Sequence, residues 1–77
     1  MSPTFSEISP LSDVRIGATV KVHHLSDHAG ADRLRELGVD SGRSLRVLRG
    51  GDPMVCDVGG ARLGLGRSLA RCIFVDA

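Results

Sequence analysis

The chain has 77 residues, too few to divide between two hydrophobic cores, so a single domain is expected. Its residues are 42% hydrophobic but only 3% aromatic, so the core is expected to be thin and built from Leu, Val, Ile, Ala and Met. Ten basic side chains against nine acidic ones leave a formal charge of +1, too weak a field to draw in a polyanion or an acidic membrane surface. Nine arginines and one lysine are spread through every segment and offset by acids, and the stacking aromatics of single-strand binders are missing, so no nucleic-acid partner is expected. No apolar run approaches the roughly 18 residues of a membrane span, and no basic-then-apolar leader opens the chain. A cytoplasmic location without membrane insertion follows as the expectation.

The opening stretch, residues 1–10, is rich in Ser and Pro and is expected to be frayed, with one ordered domain over residues 11–77. Val14, Ile16, Val20 and Val22 then alternate with polar positions, and the first strand is placed at Thr19 to Leu25. Ala31, Leu34 and Leu37 recur every third residue between charged ones, the pattern of one short amphipathic helix. A helix this short is unstable alone, so Leu34 and Leu37 are both expected to pack on the sheet, with Gly38 as the left-handed terminator. Asp40-Ser41-Gly42 reads as a turn, Leu45 and Val47 as the inward positions of a second strand, and Met54, Cys56 and Val58 as those of a third. Gly59-Gly60 supplies the positive backbone angles of a two-residue hairpin leading into a fourth strand, Ala61 to Leu65. Arg67 to Ala70 reads as one helical turn that delivers Ile73 and Val75 into a closing strand. The sum is a mostly β chain, a small partly open barrel of about five strands with one short α-helix after the first.

Three features, taken in order, carry a resemblance to a known family. They are Arg33-Leu34-Arg35-Glu36-Leu37-Gly38-Val39 followed by Ser41-Gly42, then Gly51-Asp52-Pro53, then Leu63, Leu65, Ala70, Ile73 and Val75. On these the chain resembles the FeoA family, small SH3-like proteins encoded with the FeoB ferrous-iron transporter. The resemblance implies an SH3-like barrel and a cytosolic accessory that binds the cytosolic part of a FeoB-type membrane GTPase without catalysis of its own. It places partner contacts at the loops and the helix, with Arg33, Arg35, Glu36, Asp40, Gly51, Asp52 and Pro53 as candidates. The chain departs from the pattern after Leu65, where Gly66 stands in place of a basic residue and the charge moves to Arg67. The SH3-like domain that ends iron-dependent repressors is a related module, so the second reading is a metal-responsive regulatory domain.

His23, His24, Asp27 and His28 are the most suggestive cluster for chemistry, since imidazole with carboxylate suits iron or zinc. On a regular strand His23 and His24 point to opposite faces, which leaves His24, Asp27 and His28 as the expected ligand set of a weak iron(II) or zinc(II) site. Such a site is incomplete in one chain and could be shared by a metal-bridged homodimer; no cofactor is required by the sequence. The alternative is a solvated strand end. Cys56 and Cys72 lie outside any finger spacing and read as free thiols in the core. Ser26, His28 and Asp32 are too close in sequence to span a cleft, no phosphate loop follows any glycine cluster, and a barrel this small is expected to lack a substrate pocket of several hundred Å³. An enzyme is therefore not expected.

Overall fold

A computed structural model describes residues 8–76. Within them the chain forms six strands, β1 (Ile8–Pro10), β2 (Thr19–Leu25), β3 (Ser44–Arg49), β4 (Met54–Val58), β5 (Ala61–Leu65) and β6 (Ile73–Asp76). Helix α1 (Ala31–Glu36) joins β2 to β3, α2 (Arg67–Ala70) joins β5 to β6, and a 3-10 turn occupies Leu11–Asp13. All pairings are antiparallel in the order β1-β6-β2-β3-β4-β5. The expected strands therefore lie where the alternation put them. Two features differ: there is a sixth strand, and the final helical turn makes a second helix.

The sixth strand falls in the stretch expected to be frayed. Ile8, Ser9 and Pro10 pair with Asp76, Val75 and Phe74, while residues 1–7, which make up the rest of that stretch, lie outside the described residues. Pro10 has no amide proton to donate and is tolerated because β1 is an edge strand with only one neighbour. Leu11, directly after it, is fully buried and anchors the segment to the core.

The core is aliphatic, as composition requires. Val20 and Val22 from β2, Leu45 and Val47 from β3, Met54, Cys56 and Val58 from β4, Leu65 from β5, and Ile73 and Val75 from β6 are buried together. Val58 and Ala61 flank a two-residue hairpin in which Gly59 and Gly60 both have positive φ, +59° and +91°. That pair of left-handed residues matches the strand twist.

The sheet does not curl by twist alone. In β2 the register with β6 shifts between Val22 and His24, so that His23 is an extra residue opposite Val75 and Phe74. In β3 the register with β4 shifts between Val47 and Arg49, making Leu48 the extra residue. Each is a β-bulge, which bends the strand and resets its alternation. In β2 the consequence is that Leu25, and not His24, packs against the core.

Helix α1 corrects the sequence reading at one leucine. Leu34 is 1% exposed, but Leu37 is 42% exposed and does not pack into the core. The cause is the helix end. Gly38 has φ of +94°, its N–H donates to the carbonyl of Arg35 at 3.0 Å, and the N–H of Val39 donates to the carbonyl of Leu34 at 2.8 Å. These are the two bonds of a Schellman terminator, which folds the residue after the glycine back over the last turn. Val39, fully buried, thereby takes the core position that periodicity assigned to Leu37.

Leu34→Ala is expected to cost about 2 to 4 kcal/mol because it opens a cavity beneath α1, whereas Leu37→Ala should cost well under about 1 kcal/mol. Urea midpoints of the two variants decide it; equal losses would place Leu37 back in the core.

Candidate functional site

The residues expected to contact a partner fall into two groups. The loop from Gly38 to Arg43 enters β3 and Gly50 to Pro53 leaves it, so the two groups stand at opposite ends of a six-residue strand, roughly 20 Å apart. Arg33, Arg35, Glu36 and Asp40 belong to the first end. There Arg35 is already engaged: its Nη1 lies 3.1 Å from Asp32 Oδ1 and its Nε lies 3.8 Å from Asp40 Oδ1. Asp40 Oδ1 also accepts the N–H of Ser41 at 2.8 Å, which shapes the turn into β3.

At the other end, Gly51-Asp52-Pro53 has an architectural role. Gly51 adopts φ of +98°, which admits the turn. Asp52 Oδ1 accepts the N–H of Arg67 at 3.0 Å, tying the β3–β4 loop to the first residue of α2, where a negative charge meets unpaired amides. Pro53 lies against Gly64 of β5, and a Cβ on Gly64 would stand 3.8 Å from the proline ring. Beside this loop Ile16 is 62% exposed, the most exposed large hydrophobic side chain among the described residues, and it borders Gly50. Ile16 shares the alternation of Val14, Val20 and Val22 but precedes β2 and faces solvent.

The histidine cluster is rearranged in a way that the sequence did not indicate. The bulge in β2 puts both His23 and His24 on the solvent side, and their Nδ1 atoms face each other at 2.8 Å. The expectation that the two rings occupy opposite faces is therefore overturned, because it assumed an unbroken period of two. The ring of His24 stacks on Phe74 of β6, with centroids 4.8 Å apart and planes 11° from parallel. Ser41 Oγ donates to the carbonyl of His23 at 3.0 Å. His28 is used locally: its Nδ1 accepts the N–H of Gly30 at 2.8 Å at the entry to α1. Among the described residues no group of three or more His, Cys, Asp or Glu side chains converges to hold a metal, so His24, Asp27 and His28 are not gathered into one ligand set.

Of the two thiols expected in the core, Cys56 packs there, whereas Cys72, just before β6, is only half-buried and stands outside the core cluster. Cys56 is fully buried, and burial pushes its pKa up to about 11, away from the thiolate that nucleophilic chemistry needs. Cys72 donates through Sγ to the carbonyl of Ser68 at 3.2 Å. The surface carries hollows of several hundred Å³, larger than expected for so small a barrel. One of about 370 Å³ is lined by Leu48, Arg49, Val55 and Arg62, and another of about 320 Å³ runs between Asp13, Arg15 and Thr19. Neither is lined by a histidine or a cysteine, and both are open depressions.

The curled antiparallel sheet, its Schellman-capped helix after β2 and the Gly-Asp-Pro loop locked to α2 define a small SH3-like domain. Residues 9–77 match the FeoA domain, and the chain belongs to the FeoA family. A crystal structure of an iron uptake regulatory protein, FeoA, is 26% identical, with 91% of this chain and 96% of that one covered at a TM-score of 0.84. The FeoA of Stenotrophomonas maltophilia complexed with zinc is 35% identical over 87% of this chain and 88% of that one, at a TM-score of 0.79. That protein is described as a procaryotic SH3 domain protein and a candidate ferrous iron transport activating factor. A manganese-dependent transcriptional repressor shares the fold at a TM-score of 0.86 and 23% identity, with 95% of this chain but only 43% of the repressor covered. No curated protein matches the chain at a significant level.

Two outcomes check the site. Asp52→Ala should lower stability by about 1 kcal/mol through the lost bond to Arg67, with Asp52→Asn retaining most of it, as thermal or urea unfolding will show. Because the thiol of Cys56 has a pKa raised from 9.0 to about 11, the folded state holds its proton more tightly than the unfolded state does. Its contribution to stability is complete below about pH 9 and is lost as pH rises toward about 11. Unfolding curves of the native protein and Cys56→Ala across that window should converge as pH rises; a constant difference would refute the burial argument.

Proposed function

We propose that the chain is a cytosolic accessory of bacterial ferrous-iron uptake that acts by binding the cytosolic part of a FeoB-type GTPase transporter and has no catalysis of its own. The observation that carries this reading is the FeoA match over residues 9–77, with a FeoA structure superposing over 96% of its length. Similar proteins described as iron uptake and ferrous iron transport factors support the same assignment. No helix among the described residues is long and apolar enough to cross a membrane, which is consistent with an accessory that meets its transporter through protein contact.

The contact face in this reading is the end of the domain formed by Ile16, Gly50, Gly51, Asp52 and Pro53. Ile16 there offers exposed apolar surface on the turn that precedes β2, the kind of surface that supplies affinity in an interface. The helix-side candidates contribute less, because the guanidinium of Arg35 is shared between Asp32 and Asp40 within the chain. Docking there would act by favouring one of the transporter's conformational states.

The likeness to the repressor supports a second reading, a metal-responsive regulatory module, but it rests on fold alone at 23% identity. A pull-down with the transporter's cytosolic domain, with and without ferrous iron, separates the two. Retention of the wild-type domain, lost in Ile16→Glu and kept in Leu37→Glu, is the expected result. Absence of retention under both conditions would refute the accessory reading, and loss only in Leu37→Glu would move the contact to the α1 end.

A further inference from the structure

Strand β5 is bonded on one side only, to β4, and its other side is an open edge of the sheet. We propose that this edge receives an extended acidic segment of a partner protein, which adds as a further strand beside β5. The hairpin sets which backbone groups are available for it. Val58 and Ala61 close a two-residue turn as a hydrogen-bonded pair, so by alternation Leu63 and Leu65 also bond toward β4. The N–H and C=O of Arg62 and Gly64 then point to the open edge, and no turn, loop or cap bond of the described residues reaches them. An extended chain about 4.8 Å away satisfies them by continuing the ladder.

The side chains beside the edge select the partner. On the outer face, the hollow of about 370 Å³ combines two exposed arginines, Arg49 and Arg62, with half-buried Leu48 and Val55. Gly64, which pairs with Val55, contributes no side chain to wall that hollow off from the edge. Both ion pairs among the described residues belong to Arg35. Asp57, opposite Arg62, is turned to the hairpin, where its Oδ1 accepts the N–H of Gly60 at 2.9 Å. Arg49 and Arg62 are therefore available for carboxylates. On the inner face Leu63 is only half-buried against the core, so its flank offers apolar contact. A strand that alternates acidic and apolar residues meets the arginines with one face and Leu63 with the other. A second copy of β5 would instead bring its own Arg62 to an edge that already carries one, and like charges oppose that pairing. None of the residues lining this hollow belongs to the Ile16 face.

The test is a fluorescence-anisotropy titration of the protein into a labelled octapeptide of alternating Glu and Val, with amide 1H–15N spectra of the wild type. Two further peptides serve as controls, alternating Lys and Val, and the Glu-Val sequence with every backbone amide N-methylated. The expected result is binding of the first peptide alone, with the amides of Arg62 and Gly64 shifted and slowed in hydrogen exchange. Affinity should fall by about tenfold in Arg62→Gln, fall also in Arg49→Gln, and stay unchanged in Arg71→Gln, which removes an equal charge elsewhere. Circular dichroism checks that the variants fold, and the N-methylated peptide tests strand addition without altering the protein. Absence of binding, equal binding of the N-methylated or the Lys-Val peptide, or equal weakening by Arg71→Gln would each overturn the proposal. So would a dimer of the free protein in light scattering whose Arg62 and Gly64 amides are already protected, since the edge would then belong to a second copy.

Discussion

The sheet has to close around a core that contains no aromatic ring among its buried residues, and this constraint governs the rest of the molecule. Small aliphatic side chains fill little depth, so the strands must bend sharply to bring Val22, Val47, Cys56 and Val75 together. The bend is made at two bulges, one in β2 and one in β3. Each inserts a residue that the alternation cannot accommodate and turns it outward. The outward residues are then available for other uses: His23 and His24 at one bulge, Leu48 above an open hollow at the other.

Closure also depends on how the connections are pinned. The Schellman terminator of α1 returns Val39 to the core, and Asp52 ties α2, the link from β5 to β6, to the β3–β4 loop. Both devices are hydrogen bonds donated by backbone N–H groups at helix ends, where unpaired groups must find partners or face water, one set to backbone carbonyls and one to a carboxylate. They explain why R-L-x-x-L-G-V and G-D-P stand out as local signatures in a chain whose other positions need only be aliphatic or polar. Their first task is architectural, and the large apolar side chain left most exposed among the described residues is Ile16.

The two ends of β3 divide the molecule's surface chemistry. One end carries α1, the Asp40 turn and the histidine pair, a polar and charged assembly in which Arg35 is satisfied internally. The other carries the Gly-Asp-Pro loop and an exposed isoleucine. An accessory that docks by its apolar end would leave the imidazole end free in solution.

The strands β2 to β6, the inward phase of Met54, Cys56 and Val58, the glycine at the helix end and the Gly59-Gly60 hairpin were all legible in the sequence, because each depends on residues within a few positions of one another. The family was legible for the same reason, its motifs being local devices. Three things were decided only by tertiary structure. β1 forms because β6 offers it an open edge, which no property of Ile8-Ser9-Pro10 announces. Leu37 is exposed because the Schellman turn gives its place to Val39, an outcome set by hydrogen bonding and not by periodicity. His23 and His24 face the same way because a bulge breaks the alternation where the barrel must bend. The need to bend there arises from strands distant in sequence, so a reading of β2 alone had only the regular pleat from which to judge.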